Sequence, residues 1–153
     1  MKTTHNYMKI DLDQALVFRD RGALFVDVRT PAEWLWVGHP GANKLGEGAD
    51  LAGKVINVSY KIDYKGGLII NPSFLEDVSE MFEGSNNPTL ITMCRSGKRS
   101  VAAATLLEAN GYSALNMATG FQGGKDAAGY RTISGWAVNG LPYNNSSTGG
   151  YAD

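Results

Sequence analysis

Cysteine occurs once in this chain, at Cys94, and histidine twice, at His5 and His39. One thiol cannot close an internal disulfide, and so few thiols and imidazoles cannot assemble a zinc site, so no metal or other cofactor is implied. An excess of one charge is missing too, since 14 Lys and Arg against 15 Asp and Glu leave a net charge of −1 and a pI near 6.1. That balance gives no global reason to expect nucleic acid or a membrane surface as a partner. No run of about 18 apolar residues is available to span a membrane. The segment Met1 to Lys9 also lacks the apolar core of a signal peptide. A cytosolic home is the default expectation, and a mature periplasmic protein whose signal peptide had been replaced by a new Met1 would read the same. Glycine, by contrast, is plentiful, and it gathers at 38–53, 120–129 and 149–150, which read as long loops and a frayed end. The remaining composition, 43% hydrophobic and 19% charged over 153 residues, suits one globular domain. We place it at 10–142, between an N-terminal tail at 1–9 and a flexible C-terminal tail at 143–153.

The lone thiol opens the run Cys94-Arg95-Ser96-Gly97-Lys98-Arg99-Ser100, after the apolar stretch Leu90 to Met93 and before the alanine-rich stretch Val101 to Ala109. That places a nucleophile where a strand hands over to a helix. A sulfur there faces unpaired backbone N–H groups and the positive end of the helix dipole, and three cations lie within five residues of it. Each influence favours thiolate over thiol. A buried cysteine at a strand end is commonly an inert small hydrophobe. Arg95, Lys98 and Arg99 would be poor neighbours for such a core position, and Gly97 lets successive N–H groups curl inward as an anion-binding nest.

Strand and helix signals alternate along the chain. Asp11 and Gln14 form a capping pattern for a helix running to about Arg21 and stopping at Gly22. Ala23 to Val28 is an apolar run of the kind buried on both faces of a parallel sheet. Thr30-Pro31-Ala32-Glu33 combines an N-cap, a proline at the first helical position and a glutamate at the third, and starts a short helix carrying Trp34 and Trp36 as packing residues. Val55 to Val58 is a candidate strand. Asn71-Pro72 starts a helix carrying Phe74, Leu75, Val78, Met81 and Phe82. Thr89 to Met93 is a strand, Val101 to Asn110 a helix stopped at Gly111, Ala114 to Met117 a strand, and Ser134 to Asn139 a last short helix. Alternation of this kind predicts an open parallel α/β sheet, with ligands outside the carboxyl ends of its strands, where Cys94 falls.

Asp27-Val28-Arg29, Glu33-Trp34, Gly38-His39-Pro40-Gly41-Ala42, the run from Cys94 to Ser100, and the ending from Gly120 through Trp136 to Gly140-Leu141-Pro142 together resemble a single-domain rhodanese. The resemblance runs from about Ile10 to Pro142. It implies a rhodanese-like α/β fold, a central five-stranded parallel sheet with helices on both faces, and a cysteine that carries sulfane sulfur as a persulfide. Two departures stand out. The isoleucine usual between His39 and Pro40 is absent, with an insertion at 43–53 before the next strand, and a second glycine-rich insertion occupies 121–134. Both bear on acceptor choice more than on chemistry.

On this reading Cys94 is the catalytic residue of a sulfurtransferase. Thiosulfate or a polysulfide is the donor, and cyanide, a small thiol or a protein thiol is the acceptor. Arg95, Ser96, Gly97, Lys98, Arg99 and Ser100 would bind substrate, their N–H groups stabilising the persulfide while the three cations hold the anionic donor. Asp27, Arg29, Glu33 and His39 read as structural support, with a buried aspartate and an Arg29-to-Glu33 pair fixing the backbone near the site. A cysteine protease would need a histidine partner, which neither His5 in the tail nor His39 in its turn offers. One alternative is a carrier or persulfide sensor that hands its sulfur to a single protein partner. Another is a rhodanese-fold phosphatase or arsenate reductase, which needs five residues between cysteine and arginine. Here Arg99 follows after four, and Ser100 stands where the arginine would be required.

Overall fold

The computed structural model describes residues 9–31, 33, 55–81, 88–95, 98–118, 120–121, 124–125, 127–128 and 131–133. The first described element is β1 (Lys9–Ile10), followed by α1 (Leu12–Asp20), β2 (Leu24–Asp27), β3 (Val55–Asn57) and a hairpin of β4 (Lys61–Tyr64) and β5 (Gly67–Ile70). After these come α2 (Phe74–Met81), β6 (Leu90–Met93), α3 (Lys98–Ala109), β7 (Ala114–Met117), and a short antiparallel pair, β8 (Gly124–Lys125) and β9 (Arg131–Ile133). Five strands form one parallel sheet in the order β1-β7-β6-β2-β3, as the α/β reading expects.

The apolar runs become the middle of this sheet because both of its faces are covered. All four residues of β6 are buried, and β6 pairs on one side with β2, Leu24 opposite Leu90, and on the other with β7, Leu90 opposite Ala114. Successive side chains point to opposite faces. Phe25, Ile91 and Met93 join Leu12 and Ala15 of α1 in one core, while Val26 and Leu90 join Phe74 and Val78 of α2 and Ala103, Ala104 and Leu107 of α3 in the other.

Local capping chemistry sets the helix starts. Asp11 Oδ1 accepts from the Gln14 N–H at 2.8 Å, and Gln14 Oε1 accepts from the Asp11 N–H at 3.0 Å, the reciprocal pair that the spacing predicts. Asn71 likewise precedes α2, its Oδ1 accepting from the Ser73 N–H at 3.0 Å. Helix α3 begins at Lys98, three residues before the predicted Val101, so the last part of the basic run is its first turn.

Other features differ from the sequence reading. Strand β1 includes Lys9, one residue inside the segment read as a tail, and pairs with β7. The hairpin was not anticipated. Lys65 and Gly66 both take positive φ, 50° and 84°, as a two-residue turn of type I′ requires, and glycine supplies the second at no steric cost. Met81 falls outside the buried stripe of α2 and is half exposed. The predicted helix at 134–139, Trp34 and Trp36 lie outside the described residues. Among the described residues no helix is long and apolar enough to cross a membrane.

The Asp11 cap offers a direct check on α1. Asp11→Ala is expected to lower stability by about 1 kcal/mol, read as a lower urea midpoint, whereas Asp11→Ser retains most of it.

Candidate active site

Cys94 directly follows the last residue of β6, and α3 begins four residues later. The alternation of β6 turns Leu90 and Cys94 to the face that carries α3, so the sulfur is delivered against the first turn of that helix. It is buried, with 1% of its surface exposed. Ser100, in that first turn, places its Oγ 3.3 Å from Cys94 Sγ and 2.5 Å from Asn116 Oδ1 on β7. Thr92 holds the register between these elements, its hydroxyl lying 2.9 Å from the Ser100 carbonyl oxygen and 3.3 Å from that of Leu115.

A second buried group lies at the end of β2. Arg29 Nε donates to Asp27 Oδ1 at 2.9 Å and Nη2 to Oδ2 at 2.6 Å, a two-point pair with neither side chain exposed. The Arg29 guanidinium also stacks over the Phe121 ring, 4.4 Å from its centroid, and the Phe121 N–H donates to the Cys94 carbonyl oxygen at 2.8 Å. Asn57 Nδ2 donates to the carbonyls of Asp27 and Arg29 at 2.9 and 2.8 Å, and the Ser59 hydroxyl donates to Arg29 at 3.1 Å. Gly120 sits against the same backbone. A Cβ there would lie 2.4 Å from the Cys94 carbonyl oxygen and 2.8 Å from that of Arg95, and its φ of +64° is itself unfavourable for other residues.

Glu33 joins the two halves of the site. It closes a capping box with Thr30, as predicted, through contacts of 3.4 Å between its N–H and Thr30 Oγ1 and between the Thr30 N–H and its Oε1. Its carboxylate also takes both ends of the Arg99 guanidinium, Nη1 at 2.5 Å and Nη2 at 2.6 Å. Partial burial alone would raise the Glu33 carboxyl. The hydrogen bond and charge of Arg99, with the bonds from Thr30, outweigh it and hold Glu33 below the ordinary value near 4.5. Arg99 is raised in turn, first by its hydrogen bond to Glu33 and then, against partial burial, by the charges of Glu33, Cys94 and Asp27.

These contacts sort the predicted residues. Arg95 and Lys98 are exposed. Arg99, expected to hold substrate, instead holds Glu33, and the expected Arg29-to-Glu33 pair does not form. Arg29 is enclosed with Asp27 two residues away, whereas Glu33, on the next turn, faces the start of α3. The side chain of Ser100 is fully buried and points at Cys94 and Asn116 rather than outward. Ser96, Gly97 and His39 lie outside the described residues. Among the described residues no three His, Cys, Asp or Glu side chains are grouped to hold a metal ion. Asn116, Thr92, Asn57 and Phe121 were not singled out from the sequence. The available signal for Asn116 and Thr92 was a polar residue inside a strand that reads as buried, where a polar group needs a partner.

Residues 11–127, which take in every side chain of the site described above, match the rhodanese-like domain. The chain belongs to the rhodanese family. It is 39% identical over 121 residues to thiosulfate sulfurtransferase 16, chloroplastic, of Arabidopsis thaliana, covering 79% of each chain. Thiosulfate sulfurtransferase 18 of the same plant is 30% identical over 105 residues, 69% of this chain and 68% of that one. Among solved structures, the crystal structure of Rv0390 from M. tuberculosis superposes with a TM-score of 0.67 at 34% identity, over 90% of this chain and 97% of that one.

Two predictions follow from the ion pairs of this rhodanese domain. Arg29→Met leaves the Asp27 carboxylate buried without its guanidinium, so unfolding in urea should show a loss of about 3–5 kcal/mol. The Glu33–Arg99 pair is partly exposed and worth no more than about 1 kcal/mol. Because Glu33 titrates lower in the folded state, its contribution is complete above the ordinary carboxyl value near 4.5 and fades as pH falls through the depressed value. In Glu33→Gln, stability should lose that component of its slope as pH falls below about 4.5.

Proposed function

We propose that this domain is a sulfurtransferase that moves sulfane sulfur through a persulfide on Cys94. The observation that carries the proposal is the placing of the one thiol at the carboxyl end of β6, against the first turn of α3 and 3.3 Å from the Ser100 hydroxyl, in a member of the rhodanese family. Relatives named thiosulfate sulfurtransferase support thiosulfate as one donor. In the first step the Cys94 sulfur, having lost its proton, attacks the outer sulfur of thiosulfate. A Cys94–S bond forms, the sulfur–sulfur bond of the donor breaks, and sulfite leaves with the electron pair. In the second step a nucleophile such as cyanide or a thiolate attacks the terminal sulfur, and Cys94 departs as thiolate. The exposed Arg95 and Lys98 are the cations of the run available to meet an anionic donor, because Arg99 is engaged by Glu33.

The same pairing weighs against phosphoryl chemistry. An arginine clamp on a phosphate presents a paired edge of N–H donors, and the Nη1–Nη2 edge of Arg99 already meets Glu33, while Ser100 is turned inward.

Exposure to thiosulfate should add one sulfur, about 32 Da, to the wild-type protein, removable by cyanide with release of thiocyanate, and should add none to Cys94→Ser. Sulfur transfer that survived in Cys94→Ser would overturn the proposal. So would aryl phosphate hydrolysis that depended on Cys94 while thiosulfate was left untouched.

A further inference from the structure

We propose that Asn116 is a positioning residue that sets where the Ser100 hydroxyl points its single proton, and through it how reactive the Cys94 sulfur is. The inference rests on the reading that Cys94 carries the chemistry. Three elements contribute one side chain each: Cys94 from the end of β6, Ser100 from the first turn of α3 and Asn116 from β7. All three are buried. Ser100 Oγ lies within reach of both neighbours, 3.3 Å from Cys94 Sγ and 2.5 Å from Asn116 Oδ1.

A hydroxyl has one proton to donate and lone pairs to accept with. It therefore cannot donate to the sulfur and to the amide oxygen at once. When Cys94 is a thiol the chain runs outward: S–H donates to Ser100 Oγ, and Ser100 O–H donates to Asn116 Oδ1. When the sulfur has lost its proton it can only accept, and the Ser100 O–H must turn to it. The Ser100 oxygen, still about one hydrogen bond from the amide, then needs a donor on that side. Asparagine supplies it by turning its amide over, which brings Nδ2–H to the place Oδ1 had held. An amide can accept in one state and donate in the other. A carboxylate can only accept, and would hold the hydroxyl proton away from the sulfur in both.

Two features separate this role from simple packing. The strand ladder holds Asn116 opposite Thr92 on one side and Lys9 on the other, so its backbone is placed without its side chain. The Thr92 hydroxyl secures the Ser100 carbonyl oxygen at 2.9 Å, so the first turn of α3 is placed without Asn116 as well. Toward Ser100, what the amide adds is the direction of one O–H bond. That direction counts twice in the proposed cycle, because a Cys94 thiolate attacks in the first step and departs in the second.

The test compares the rate of Cys94 alkylation by iodoacetamide at neutral pH, and the rates of persulfide formation from thiosulfate and discharge to cyanide, in five variants. Asn116→Asp and Ser100→Ala should each slow alkylation and both sulfur steps roughly 3- to 10-fold, the loss of one hydrogen bond. Ser100→Thr, which keeps the hydroxyl, should recover part of the rate that Ser100→Ala loses. The double variant Ser100→Ala with Asn116→Asp should be no slower than Ser100→Ala alone, because Asn116 acts through the hydroxyl. Asn116→Ala removes the competing acceptor and leaves the hydroxyl proton to the sulfur, so it should be alkylated faster than the wild type, and it keeps the test open if the aspartate variant does not fold. A wild-type alkylation rate in Asn116→Asp, an Asn116→Ala protein alkylated no faster than the wild type, or a double variant slowed by the product of the single effects, would overturn the proposal. Alkylation uses no sulfur donor. If it followed the expected pattern while thiosulfate went unused, the sulfurtransferase reading would fail and the relay would stand.

Discussion

The Asp27 carboxylate and the Arg29 guanidinium meet at the end of β2 with no surface exposed, and the backbone around Cys94 is arranged from that contact outward. Neither charge could be left there alone, since an unpaired ion in the interior costs several kcal/mol. Their two-point geometry fixes the plane of the guanidinium, and the Phe121 ring lies against that plane. Phe121 in turn donates its N–H to the Cys94 carbonyl oxygen, and Gly120 fits close to the same backbone because it lacks a Cβ. The ion pair thus restrains the backbone of Cys94 through Phe121.

Charge in the loop is divided between structure and surface. A count along the sequence finds three cations beside Cys94, yet Arg99 is neutralised by Glu33, sixty-six residues earlier in the chain. Arg95 and Lys98 remain exposed. Glu33 thereby serves two turns at once, closing the one that begins at Thr30 and holding the first turn of α3 through Arg99. The result joins the exit of β2 to the start of α3, the two places between which Cys94 is set.

What the sequence made legible was chiefly local. The Asp11–Gln14 and Thr30–Glu33 boxes span three residues each and appear as predicted, because both partners lie on one turn of chain. The largely apolar, buried runs of β2, β6 and β7 announced a parallel sheet because burial on both faces leaves no alternation. Pairings across the fold were not legible. Arg29 has Asp27 two residues before it and Glu33 four residues after it, and which carboxylate it chooses depends on the burial of the β2 end, a tertiary fact. The hairpin was missed because Lys65-Gly66 is a weaker turn signal than Asn-Gly or Asp-Gly, although its φ values suit the same turn. Asn116 gave one faint sign, an amide in a buried strand, and no sequence separation points from it to Ser100.

The start of α3 explains why the Ser100 side chain faces the sheet. Had the helix begun at Val101, Ser100 would have been a loop residue free to face substrate. Beginning at Lys98 makes it part of the first turn, and in a helix lying on the sheet one side of that turn must face the strands. Lys98 lies on the outer side and is exposed, while Ser100 lies on the inner side, above Thr92 and Asn116. A polar residue there needs buried partners, and the sulfur and the amide are the groups that β6 and β7 present to it. The helix boundary therefore divides the run by exposure: Lys98 is left on the outer side with water, and the Ser100 hydroxyl on the inner side is left for the sulfur.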